Sequence, residues 1–234
     1  MPSVSRLFCC FGLVLLCAGQ AWGETSATVS ALSDDRYRGY TLSGSRPTVQ
    51  AGVGYDDDSG WYAGGLLARD WFAADSGWEL RTLANLGYAR RLDSGLTLEG
   101  GANQVGYTNS HDYNYHEFYA GLGLGDLVAR LYYSPNYYQR GQASLYGELN
   151  ASRQLGERWS LQAHLGLLAL DPFVVSAGQV RSTRCDVRVG LGYALPDAML
   201  NLAWTDSARS PVPADPTGLA SPGSAVQLTV VHAF

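Results

Sequence analysis

Apolar and polar side chains alternate with a period of two along most of this chain. In residues 159–168, Trp159, Leu161, Ala163, Leu165 and Leu167 face away from Ser160, Gln162 and His164, the pattern of a strand with one apolar side. The carboxyl end repeats it: Val226, Leu228, Val230 and Phe234 oppose Gln227 and Thr229, with His232 interrupting the apolar face. Comparable runs occupy 27–40, 47–56, 61–71, 78–91, 96–107, 115–124, 127–133, 142–154, 184–195 and 198–207, which with 159–168 and 224–234 makes twelve predicted strands. In the run 78–91, Trp78, Leu80, Ala84, Leu86 and Tyr88 oppose Glu79, Arg81, Asn85 and Arg91; in 142–154, Leu145 and Leu149 oppose Tyr146, Glu148 and Asn150.

The connections fall into two kinds. Links after even-numbered strands are tight turns at 57–60, 92–95, 125–126, 156–158 and 196–197, whereas most links after odd-numbered strands are longer, at 72–77, 108–114, 134–141, 169–183 and the proline-rich 208–223. Short turns at one end and long loops at the other are the grammar of an antiparallel up-and-down β-barrel of the outer membrane, and an even strand count predicts that both termini are periplasmic. A soluble β-sandwich has no reason to sort its loops in this way.

Composition agrees. Only 16% of the 234 residues are charged and 46% are hydrophobic, yet mean hydropathy is -0.09, far from that of a helical membrane protein. Alternating strands reconcile these figures, because one side of each faces lipid and the other does not. The 28 glycines and 15 tyrosines suit tight turns and interfacial aromatic girdles. All 16 basic residues are arginine, and the net charge of -5 argues against a nucleic-acid binder.

At the amino terminus Arg6 precedes the apolar run 7–18 and then Ala21-Trp22-Gly23, the order of a secretory signal. Residues 1–23 are expected to leave as a signal peptide, with 24–234 forming the barrel. The apolar run is about a dozen residues, short of the ~20 that cross a bilayer as a helix. Leu16 before Cys17 does not fit a lipobox. Cleavage removes Cys9, Cys10 and Cys17 and leaves Cys185, so no intramolecular disulfide is possible. A closed, fully hydrogen-bonded barrel supplies stability in another way.

The segment Ser33-Asp34-Asp35-Arg36-Tyr37-Arg38-Gly39-Tyr40-Thr41-Leu42-Ser43, followed by Arg46-Pro47-Thr48-Val49-Gln50-Ala51-Gly52 and Gly60-Trp61-Tyr62-Ala63-Gly64, resembles the opening of the TorF-type porins of proteobacteria. The resemblance is most specific over residues 33–65. It implies an exported outer-membrane barrel, that is, location and architecture more than substrate. The chain departs from the family pattern in having Asp34, Asp35 and Arg36 where one acidic residue precedes the aromatic.

Charges facing lipid at mid-depth cost several kcal/mol, so those on the strands are expected to face the lumen. Asp34, Arg36, Arg38, Glu79, Arg81, Glu99, Arg130, Glu148, Asp186 and Arg188 are the candidate pore-lining residues, with Arg184 beside them. Their signs are mixed, which predicts weak ion selectivity and permits structural pairing across the lumen. Val230 and Phe234 are the candidate assembly signal for the barrel-assembly machinery. Gly121-Leu122-Gly123-Leu124-Gly125 has no following helix and reads as a strand, not a dinucleotide loop. Ser160 and His164 lie ~13 Å apart along a strand, too far for a nucleophile and its base. His111 beside Asp112, and His116, show no metal-ligand spacing. No cofactor or metal is expected. The leading expectation is passive passage of small polar solutes; an outer-membrane hydrolase of lipid or peptide, and a non-conducting structural or adhesive barrel, are the alternatives.

Overall fold

Alternation of this kind leaves each strand with one side that water rejects, and twelve such strands close on themselves. The computed structural model describes residues 9–10, 13–14, 24–72, 77–139, 142–175, 178–209 and 223–234. The strands are β1 (Glu24–Leu32), β2 (Thr48–Asp56), β3 (Trp61–Phe72), β4 (Gly77–Arg91), β5 (Thr97–Tyr107), β6 (Tyr115–Leu124), β7 (Leu127–Ser134), β8 (Ser144–Gln154), β9 (Trp159–Val175), β10 (Gly178–Ala194), β11 (Met199–Arg209) and β12 (Ala225–Ala233). Each pairs antiparallel with its sequence neighbours, and β12 pairs with β1 to complete a closed twelve-stranded barrel. Closure leaves no unpaired edge.

The short turns collect at one end, together with both ends of the barrel chain, where the Phe234 N–H donates to the Ala27 carbonyl at 2.9 Å. The outer surface is apolar: Val226 is 65% and Val53 60% exposed. Exposure of that extent along every strand suits lipid and not water. Aromatic residues ring the two ends of this band. Trp61 meets Tyr88, and Trp159 meets Tyr193, at the short-turn end, while Trp71 meets Trp78 near the other.

Two expectations need correction. The first strand stops at Leu32, not at residue 40, and residues 33–47 leave the wall: 34–43 turn into the lumen with only a two-residue ladder, Arg36–Tyr37 against Tyr40–Thr41, and 45–47 return exposed to the rim. The expected loop 169–183 is mostly strand: β9 and β10 are each 17 residues long. Beyond Leu170 β9 has lost β8, and β10 takes up β11 only from Arg184, so residues 171–175 and 178–183 project as a two-stranded ribbon. Pro172 interrupts the alternation but falls in a register shift between Leu170 and Phe173, where no ladder hydrogen bond is demanded of it. The expected signal segment lies outside the described residues except for 9–10 and 13–14, and so does nearly all of the proline-rich loop.

Candidate functional site: a divided lumen

The inward segment is held by its own sequence. Gly39 and Gly44 have φ of 76° and 64°, and Arg38 and Ser45 also adopt left-handed backbone, at 49° and 56°. A β-carbon on Gly39 would lie 2.8 Å from Arg184 Cδ and 2.9 Å from Ser207 Cβ, so the backbone approaches the wall only because glycine is there. The Asp34 carboxylate accepts from Thr41 Oγ1 at 2.5 Å, Ser43 Oγ at 2.9 Å and Arg36 Nε at 2.6 Å. Asp35 accepts from Gln50 Nε2 at 2.7 Å and Arg81 at 2.6 Å, which fastens the segment to β2 and β4. The Trp71 N–H donates to the Leu42 carbonyl at 2.7 Å, tying it to β3 as well.

Below and beside this segment one half of the lumen is filled. Nine tyrosines (Tyr40, Tyr62, Tyr107, Tyr115, Tyr119, Tyr132, Tyr137, Tyr138 and Tyr146) pack with Leu42, Leu66, Leu83 and Val105 into a core inside the barrel. Inward-facing glycines make the room: a β-carbon on Gly101 would come within 2.6 Å of the Tyr119 hydroxyl. Arg38 enters this core and pairs with Glu117 at 2.8 Å, both side chains being 1% exposed. Its guanidinium stands 4.4 Å from the Tyr146 ring centre and 4.6 Å from that of Tyr37, contacts that suit a desolvated cation. Arg81 bridges Asp35 and Asp70, and Arg130 bridges Glu99 and Glu148. Paired in this way, buried charges avoid the large penalty of isolation. Burial pushes the Asp35 carboxyl above its ordinary range against the pull of Arg81. Burial alone would lower Arg38, but Glu117 and the surrounding tyrosines hold it above its ordinary range.

The other half is open. A cavity of about 120 Å3, opening to solvent, runs beneath the inward segment along β8 to β12, β1 and β2. Its wall is polar: Gln50, Asn150, Gln162, Asn201 and Gln227 supply amides, Ser30, Thr205 and Thr229 hydroxyls. Arg188 also lines it and has no ion-pair partner among the described residues. The His164 ring meets Asp186 at 2.8 Å, Tyr146 at 3.0 Å and Asn150 at 2.7 Å, all from the wall itself. Gly166 leaves space for this group, since a β-carbon there would lie 2.6 Å from Asp186 Oδ1.

A model of the Gcw_chp family, described as a bacterial protein of unknown function, matches residues 18–211. The chain belongs to the Gcw_chp family. No curated protein matches it. Among solved structures it is similar to the KdgM porin, at 13% identity and a TM-score of 0.54, covering 89% of this chain and 99% of that one. It is equally similar to the KdgM porin in complex with disordered oligogalacturonate, at 11% identity, TM-score 0.54 and the same coverage. At these identities the likeness establishes the fold, a closed barrel of the kind built by outer-membrane porins.

The candidate residues of this Gcw_chp barrel separate by location. Arg36, Arg38, Glu148, Asp186 and Arg188 border the open cavity, as does Asp35. Asp34 is buried within the inward segment, and Arg81, Glu99 and Arg130 are committed to ion pairs in or beside the filled half. Glu79 accepts from the Asn109 N–H and Ser110 Oγ, each at 3.0 Å, and anchors the 108–114 loop instead of facing a passage. Asp35 pairs with Arg81, although alternation along an extended strand would put it opposite Asp34. Glu117, Asp70 and the tyrosine core were not singled out by the sequence; the polar-side register of Tyr146 beside Glu148 is the signal that marks such tyrosines as luminal. Among the described residues no three His, Cys, Asp or Glu side chains are grouped to hold a metal, and no serine or cysteine is among the recorded hydrogen-bond partners of His164.

Proposed function

We propose that this Gcw_chp barrel is an outer-membrane porin of the TorF type, exported by a signal at residues 1–23 and oriented with both termini in the periplasm. Small polar solutes would diffuse through its open half-lumen. The observation that carries the reading is the polar cavity, walled by amides, hydroxyls and Arg188, inside a barrel whose exterior is apolar. The oligogalacturonate in a KdgM porin of similar fold supports a conduit for polar solutes without specifying which. Val230 and Phe234 on the final strand are offered to the assembly machinery.

A cation in a narrow, partly dehydrated passage is screened less than one on a surface, so Arg188 governs which ions pass more than any exposed arginine does. Purified protein in a planar bilayer is expected to conduct, and Arg188→Glu to shift its preference toward cations. Folded protein without conductance would overturn the porin reading. It would favour the non-conducting barrel, to which the inward-folded residues 33–47 lend support.

A further inference from the structure

The outer face carries a feature that neither the barrel closure nor the lumen requires. Near the long-loop end Arg46 and Arg69 are exposed and have no ion-pair partner among the described residues. The Arg46 guanidinium lies 3.6 Å from the centre of the Trp71 ring, and that of Arg69 lies 3.9 Å from the centre of Trp78. The two indoles are edge to face, 5.2 Å apart. The four side chains therefore form one continuous patch, a cation at each side and two indoles between. Gly44 of the inward segment presses on it: a β-carbon there would come within 2.7 Å of Trp71 Cδ1, so the segment fixes the ring that carries Arg46.

Adjoining this patch, a shallow groove of about 570 Å3 crosses the outer surface of β1 to β4. Val29, Val49, Leu67 and Leu80 line it, and Trp78 and Arg69 border it. In the membrane-embedded reading, on which this inference rests, the groove faces acyl chains and the patch stands near headgroup depth, where tryptophan and arginine are at home. An arginine on an aromatic ring keeps donors free for an anion while its apolar face is covered. Two such arginines with no carboxylate partner among the described residues are complementary to phosphate, and the groove beside them is complementary to hydrocarbon.

We propose that Arg46, Arg69, Trp71 and Trp78, with the groove across β1 to β4, form a binding site for a phosphate-bearing lipid of the outer leaflet. The phosphate lies on the two guanidinium groups and an acyl chain occupies the groove.

The test uses the full mature barrel in detergent micelles, titrated with lipid A as a phosphate-bearing lipid, with uncharged diacylglycerol and with inorganic phosphate, and read by native mass spectrometry. Lipid A is expected to be retained at one site and the two partial probes to bind far more weakly. R46Q/R69Q is expected to weaken lipid A binding about thirtyfold, taking roughly equal losses at two surface cations. R46K/R69K restores much of it, and Arg90→Gln at the opposite end leaves it unchanged. Heat-modifiable gel mobility establishes that each variant is folded. Bilayer conductance of R46Q/R69Q is expected to equal that of the unaltered protein, which separates this site from the solute pathway. Equal lipid A binding by R46Q/R69Q and the unaltered protein, or equal binding of diacylglycerol and lipid A, would overturn the proposal.

Discussion

Replacing Arg38 with methionine tests the account of the filled half-lumen. The Arg38 guanidinium and the Glu117 carboxylate are each 1% exposed and meet at 2.8 Å. Methionine keeps much of the arginine stem in its tyrosine surroundings but leaves the carboxylate with Asn103 Nδ2 as its remaining recorded donor, at 3.0 Å. Removing one member of a buried pair typically costs 3–5 kcal/mol, mostly because the survivor is a buried unpaired charge, so Arg38→Met should lose about 4 kcal/mol. Neutralising the survivor removes that penalty, and Arg38→Met with Glu117→Gln should recover to within about 2 kcal/mol of the unaltered barrel. Unfolding in guanidinium from lipid vesicles, followed by tryptophan fluorescence and gel mobility and extrapolated linearly, measures all three. A single variant within about 1 kcal/mol of the unaltered protein, or a double variant no better than the single, would refute burial of the pair as the tie that holds residues 33–47 in the lumen.

Other expectations follow from the same geometry. Gly166→Ala should destabilise by about 1–3 kcal/mol in the same unfolding assay, because the new methyl group meets Asp186 and Tyr146, whereas Gly147→Ala, whose β-carbon would meet nothing nearer than Leu131 Cδ1 at 3.7 Å, should cost less. Asp35 has a carboxyl pushed up by burial, so the folded protein holds its proton more tightly than the unfolded chain; its contribution is present below 3.8 and lost as pH rises through the folded value. The unaltered barrel should therefore lose stability relative to Asp35→Asn as pH is raised from 3.8, and parallel curves would contradict the burial. Removing Phe234 should lower insertion into the outer membrane, measured by fractionation, more than Leu155→Ser at the same end, and equal insertion would return Phe234 to an ordinary exposed residue.

The strands were legible because lipid on one side and lumen on the other impose a period of two, and the tight turns because Asp, Ser and Gly cluster there. Most predicted strand bounds fall within two residues of those observed for this reason, as with 115–124 and β6. The inward segment was not legible. Alternation continues through Asp34, Asp35, Arg36 and Tyr37, and nothing local reports that Arg38 adopts left-handed backbone or pairs with Glu117, 79 residues away. Tyrosine serves equally in a lipid-facing girdle and in a polar lumen, so its abundance alone favoured the girdle. The ion pair of Arg81 with Asp35 was hidden for a similar reason. Periodicity placed it inside the barrel correctly, but only the packing of residues 33–47 put Asp35 within reach of it.

The central claim is that solutes pass through one half of this lumen while the other is solid, and single-cysteine accessibility during conduction tests it most directly. With Cys185→Ser as background, Gln227→Cys and Asn201→Cys place thiols on the cavity wall, and Asn103→Cys places one beside Glu117 in the filled half. A charged methanethiosulfonate reagent is expected to react with the first two and reduce the current, and to leave Asn103→Cys unmodified. Equal reaction and block at Asn103→Cys, or no reaction at Gln227→Cys and Asn201→Cys, would contradict the divided lumen.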